Sequence, residues 1–436
     1  MDQAMNKLLG KFLIVALILL GANNIRAADR WVDGNNGNNG NAGTFSSRWR
    51  TVTFALSQLE PGDTLTIANG NYNLRNEGAG NGIARVRRPS GGRVDGWTDR
   101  WTNIRAETRG QVFIQGNIDI EGSFIRFQDL RIFGDENNDA PVLFFRDAHH
   151  IDVLRNELAF GGGGGVSFNH SDMIRVHENT THNNGHRNSD QHSGISVYQP
   201  IAFDNPPEFR FWRIEILRNV SHDNRNIIPN PNTGITDGNG IILDDYKYTQ
   251  PQFLGNRNGN TPQYQFRTLV EGNICNYNGG SGIQVFEAVR VTVKNNTCIG
   301  NRQFTFTPGG QYTNAGQVSI QNSDFNHVLN NVLVSRFVSF APGNSPYAAS
   351  ESNGIGNFWQ NNLVWSSVNL NALWNNNSVS NGIIVTDPNF VDEGNFDYTS
   401  RAGFNRGVRW SGHVYIDGNG VVVGSNQRND LGALQN

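Results

Sequence analysis

"LVEGNICNYNGGSGIQVFEA" occupies Leu269–Ala288, and "VTVKNNTCIGN" follows at Val291–Asn301. Laid over each other, Asn273 falls on Asn296, Cys275 on Cys298 and Asn278 on Asn301, all at one step of 23 residues. The same Asn-x-x-x-x-Asn signature stands at Asn179/Asn184 and Asn219/Asn224, with weaker copies beginning at Asn156, Asn331 and Asn362. A second element recurs beside it: "GVSFNH" from Gly165, "GISVYQ" from Gly194, "GIILDD" from Gly240 and "GIQVFE" from Gly282. Apolar residues one and three places after the glycine alternate with other types, as in a strand with one face inward. A unit of strand, Asn-bearing bend, Gly-rich turn and strand is too short to hold a helix. It suits one coil of a parallel β-helix.

Equivalent residues of successive coils should stack at about 4.8 Å. Asparagines at a recurring bend then form a ladder, their amides bonding to one another and to the bend backbone. Cys275 and Cys298 should lie within reach of a disulfide, or stack as reduced thiols in the core.

Composition agrees. The chain of 436 residues carries 50 Gly and 62 Asn, a usage that long helices do not tolerate and many turns require. Basic Lys7 and Lys11, the apolar run Phe12–Ala22 and small residues at Ala27 and Ala28 read as a secretory signal over residues 1–27. One domain is then expected over 28–436. Removing Lys7, Lys11, Arg26 and Asp2 takes the net charge from -3 to -5, which argues against a nucleic-acid partner. A monomer is expected, exported to a periplasm or beyond the cell and free of the membrane once the signal is cut. Its lysines are then Lys247 and Lys294 alone.

The ends carry a resemblance. "RWVDGNNGNNGNAGTFSSRWRTVTFALSQLEPGDTLTIANGNYN" (Arg30–Asn73) resembles the opening of secreted right-handed parallel β-helix proteins, as "TNIRAETRGQVFIQG" (Thr102–Gly116) resembles their next coil. "TDPNFVDEGNFDY" (Thr386–Tyr398) and "DLGALQ" (Asp430–Gln435) are similar to their usual ending. The resemblance implies an all-β, single-stranded right-handed parallel β-helix with a short capping helix near Thr51–Leu59. It points to polysaccharide lyases of the pectate lyase family 9 type, which cleave acidic polysaccharides by β-elimination. In those enzymes aspartate-held calcium neutralises the uronate and a lysine takes the proton. Asp237, Asp244, Asp245 and Lys247 match those residue types, without a motif that aligns residue by residue.

The glycine register proposes where such chemistry sits. Asn169, Tyr198, Asp244 and Phe286 stand four places after it; His170, Gln199, Asp245 and Glu287 stand five places after it. The fourth position should face outward. Aromatic and acidic columns on one face suit a sugar-binding groove, with Tyr198, Tyr246, His192, Phe286 and Glu287 as substrate contacts. Long insertions at Gly185–Gly194, Arg225–Gly240 and Lys247–Phe266 mark the same coils. Calcium is expected on Asp237, Asp244 and Asp245, with Asp223 as an outer ligand. Lys247 is the expected base, and Arg225 or His222 would assist the substrate carboxylate. His182 and His222 share a repeat position, so they should lie on one face. A histidine-held transition metal is the rival cofactor. A glycoside hydrolase, a uronate epimerase or a non-catalytic adhesin on the same scaffold are the rival functions.

Overall fold

The computed structural model describes residues 27–87, 101–203, 210–250, 263–302, 316–336, 347–366, 383–388 and 390–392. It also places short strands at 373–374, 397–400, 415–416 and 422–423. The signal segment and the Asp430–Gln435 ending lie outside the described residues, as does much of the third insertion.

The repeat of the sequence becomes three parallel sheets wound by one chain. Sheet I has ten strands and includes Val166–Asn169, Ile195–Tyr198, Ile241–Asp244 and Ile283–Phe286. Sheet II has eleven, among them Asp172–His177, Ile214–Leu217, Thr268–Glu271 and Val291–Lys294. Sheet III also has eleven, among them Thr180–His182, Val220–His222, Ile274–Asn276 and Thr297–Ile299. The chain visits I, II and III in turn and then returns to I one coil on. This is a right-handed parallel β-helix, with the apolar positions of all three sheets meeting in one core.

The 23-residue alignment is the true register: Ile274 pairs with Thr297, Cys275 with Cys298 and Asn276 with Ile299. Both cysteines are fully buried free thiols. The asparagines form the expected ladder at the bend from II to III. The side-chain oxygen of Asn296 accepts the backbone N–H and the side-chain amide of Asn273, each at 2.9 Å, and Asn273 also donates to the Ile216 carbonyl at 2.8 Å. The ladder runs through Asn156, Asn179, Asn219, Asn273, Asn296, Asn331 and Asn362. A second ladder, through Asn184, Asn224, Asn278 and Asn301, ends on Gln317. Buried amides that satisfy one another and the bend backbone explain the asparagine usage, since each unpaired polar group inside would cost about 1–3 kcal/mol.

Helix α1, Val52–Ser57, closes the N-terminal end. Thr51 caps it through a hydroxyl that accepts the Phe54 N–H at 3.3 Å, and Val52, Ala55 and Leu56 are buried on the open end of the core.

Candidate functional site

The outward face of sheet I holds the columns that the glycine register proposes. Asn169 pairs with Tyr198, Tyr198 with Asp244 and Asp244 with Phe286. All four are partly exposed, as alternation from the inward residues requires. Two places after each glycine a second outward column runs Ser167, Ser196, Ile242, Gln284 and Ser319. None of these is more than 8 % exposed, although their side chains leave the core. This column is therefore closely covered, and the fourth-position column beside it is the partly exposed part of the face.

The fifth position behaves differently. His170, Gln199, Asp245 and Glu287 have φ of 52, 44, 50 and 49°, so the chain turns there through the left-handed region on its way to sheet II. The period of two does not continue through such a corner. Gln199 and Asp245 are fully buried instead of facing outward. Asp245 Oδ1 accepts the Thr249 N–H at 2.6 Å and its hydroxyl at 3.0 Å, while Oδ2 accepts Gln199 Nε2 at 2.6 Å and the Gln250 N–H at 3.0 Å. Asp245 is thus a corner anchor, and its lone pairs are engaged.

Asp244 and Asp237 carry the unusual electrostatics. Burial, followed by the charges of Asp237 and Asp245, pushes the Asp244 carboxyl well above its usual range. Burial pushes Asp237 up to about 7, against the opposing hydrogen bonds of Asn239 and Thr236. Both carboxyls are partly exposed yet closely surrounded by protein, which disfavours their charged forms. Tyr198, next to Asp244 in the column, is held as a neutral phenol by burial and by the charge of Asp244. His192 stands at the entrance to sheet I, and its carbonyl accepts the Gly238 N–H at 3.0 Å, beside Asp237. Burial lowers its pKa and favours the neutral imidazole.

Other expected site residues stand elsewhere. Lys247 Nζ lies 2.5 Å from Asp324 Oδ2 and donates to the Asn322 carbonyl at 2.6 Å. It reaches along the corner to the second coil beyond its own, where it makes an ion pair. Tyr246 is fully buried, its hydroxyl 3.2 Å from Thr268 Oγ1 and its ring edge-on to Tyr264; it is core and no sugar contact. His182 and His222 do stack, with ring centroids 4.9 Å apart, but on sheet III. At the corner that follows, Asp223 pairs with His222 at 2.9 Å and with Arg225 at 3.4 Å. The trio His222, Asp223 and Arg225 therefore sits at the corner after sheet III, where the Arg225 backbone packs against Gly238, next to Asp237.

This tests the calcium expectation. Asp245 has no oxygen to offer and Asp223 is at another corner, which leaves Asp237 and Asp244. Calcium takes six to eight oxygens from carboxylates, carbonyls and water, so these two carboxyls would supply only part of its shell. Among the described residues no three His, Cys, Asp or Glu side chains converge on a metal position. The four aspartates are therefore not gathered into one set. The histidine-metal rival finds no such group among the described residues either.

Sequence reasoning missed Thr249 and Gln250. Glu287 Oε2 accepts the Thr249 hydroxyl at 2.6 Å and Gln250 Nε2 at 3.2 Å, and the same Gln250 nitrogen donates to Asp244 Oδ1 at 2.9 Å. Nothing in their residue types marks them. The signal was positional: both follow Asp245 closely enough for its carboxylate to close a turn on them.

No protein-family model matches the chain, and no curated protein sequence does. Among solved structures it is similar to pectate lyase Pel9A, with a TM-score of 0.45 and 13% identity over 93% of this chain and 98% of that one. It is similar to a PL6 alginate lyase in complex with a trisaccharide, with a TM-score of 0.43 and 15% identity over 85% of this chain and 66% of that one. A structure described as a glycoside hydrolase matches with a TM-score of 0.43 and 10% identity, over 79% of this chain and 98% of that one.

Proposed function

We propose that the protein cleaves a uronate-containing polysaccharide by β-elimination, with the glycan lying along sheet I and Asp244 at the reacting centre. The observation that supports this reading is the pair Asp237 and Asp244, two partly exposed carboxyls that burial holds above the ordinary aspartate range. A protonated carboxyl there hydrogen-bonds to the sugar carboxylate, whose charge grows as the adjacent proton leaves. A donor already in place in a partly dry site stabilises that charge without reorganisation.

The remaining roles follow from protonation state. His192, favoured as the neutral imidazole, is the proton acceptor. Tyr198, a neutral phenol beside Asp244, protonates the leaving oxygen. The C5–H bond gives its electron pair to the new C4=C5 bond, the C4–O bond breaks, and the departing chain takes a proton. The Tyr198 and Phe286 rings provide stacking surface for pyranose faces.

A panel of acidic polysaccharides, incubated with and without calcium, tests this. The expected product has 4,5-unsaturated ends that absorb in the ultraviolet. New reducing ends without that absorbance would replace elimination by hydrolysis. One observation favours this second reading: since Gln250 Nε2 touches both, oxygens of Asp244 and Glu287 lie within about 6 Å of each other, near the spacing of a retaining hydrolase pair. Binding without either product would make the protein a glycan-binding module.

A further inference from the structure

The segment from Asp245 to Gln250 closes on itself and is tied at both ends. The Asp245 carboxylate holds the N–H groups of Thr249 and Gln250. Gln199, one coil earlier, donates to Asp245 at 2.6 Å and to the Gln250 carbonyl at 3.1 Å. The Tyr248 hydroxyl donates to the Pro200 carbonyl at 2.5 Å. These contacts tie the backbone of Thr249 and Gln250 and the side chains of Asp245 and Tyr248, and the Gln250 side chain extends beyond them. Its amide nitrogen lies 2.9 Å from Asp244 Oδ1 and 3.2 Å from Glu287 Oε2.

A primary amide has two N–H groups on that nitrogen, one for each acid. Two carboxyls this close repel if both are charged and share a proton if they touch. A neutral two-proton donor between them prevents contact and fixes the plane of each. A lysine or arginine there would neutralise the acids in an ion pair, and a glutamate would add a third charge. Asp244 Oδ2 and Glu287 Oε1 make no hydrogen bond among the described residues, so each acid keeps one tied oxygen and one open oxygen. Among the described residues, Asp237, Asp245, Tyr198 and Tyr246 are the other titratable groups near Asp244.

We propose that Gln250 is a positioning residue for the reaction at Asp244: its amide orients Asp244 and keeps Glu287 apart as a separate acceptor. The kinetic half of this rests on the function proposed above; the geometric half stands without it.

The test is Gln250→Met, which keeps the length and removes the donor, made in the full chain. Carboxyl ¹³C titration reads the pair without any substrate. Losing a hydrogen bond to a carboxylate should raise the Asp244 midpoint further. On a substrate that the wild type cleaves, kcat should fall about 10- to 100-fold, with KM and the melting temperature unchanged. Unchanged midpoints overturn the proposal, and so does a loss of kcat matched by a loss of melting temperature. If the wild type cleaves no polysaccharide, the function reading fails by itself, and the titration still decides the role of Gln250.

Discussion

The ammonium of Lys247 is paired with the carboxylate of Asp324, two coils further along the solenoid, at 2.5 Å. The side chains are 19% and 21% exposed, so the pair is largely withdrawn from water. This relationship makes the lysine a strut between corners.

Lys247→Ala should therefore cost stability and spare chemistry. The expected loss is about 1–3 kcal/mol, since one partner of a mostly buried pair is left behind. Urea unfolding of Lys247→Ala, Asp324→Ala and the double variant measures it. A turnover number that collapses while stability holds would restore the lysine as a base.

The adjacent aspartates should separate cleanly. Asp244→Asn should leave folding intact and lower kcat by about 10²–10⁴-fold, the usual contribution of a positioned acid. Asp245→Asn replaces an acceptor of four donors by an amide that can accept through one oxygen only. It should destabilise by about 2–3 kcal/mol. Thermal melts and steady-state rates on both variants check the pair of outcomes.

Asp237 predicts a pH dependence with a definite sign. Its folded pKa of about 7 exceeds the ordinary aspartate value of 3.8, so the folded state binds the proton more tightly. Its stabilising contribution is full below about pH 4 and is lost as pH rises through 7, a matter of a few kcal/mol. Asp237→Asn stays neutral throughout, so the difference between wild-type and variant stability should slope between pH 4 and 7 and level off above. A flat difference curve would contradict the burial of this carboxyl.

The asparagine ladder should be costly to break. Asn273→Ala removes the acceptor of the Asn219 backbone N–H and of one of its two amide hydrogens, and the side-chain donor to the Ile216 carbonyl, inside the wall. The expected loss is about 3–5 kcal/mol by denaturant unfolding. A loss below 1 kcal/mol would mean that water enters the ladder.

Cys275 and Cys298 are register partners and free thiols. Thiol titration of the protein, denatured without reductant, should count both as reactive. A count of zero would show that the stacked pair closes a disulfide.

Much of the fold was legible because every coil solves the same problem with the same residues. Asn273 over Asn296 and Gly240 over Gly282 state the register directly, and Thr51 announces the helix it caps. The site was legible in part. Asp244, Tyr198 and Phe286 form the expected column, because strand alternation carries four residues past the glycine. Asp245 and Tyr246 did not follow, because the corner residue is left-handed and alternation stops there. Lys247 stood near Asp244 in sequence, yet its long side chain found Asp324, 77 residues on.

The sequence by itself determined the solenoid, its register and the face that carries the acids, since these depend on hydrogen bonds and apolar contacts repeated coil after coil. Only the tertiary structure decided which acids are reagents and which are fasteners. Insertions of unequal length set how deeply Asp237 and Asp244 are buried, and a single turn closed by Asp245 puts Gln250 between Asp244 and Glu287. Burial and hydrogen-bond partners of that kind come from one loop meeting one coil, and no repeat encodes them.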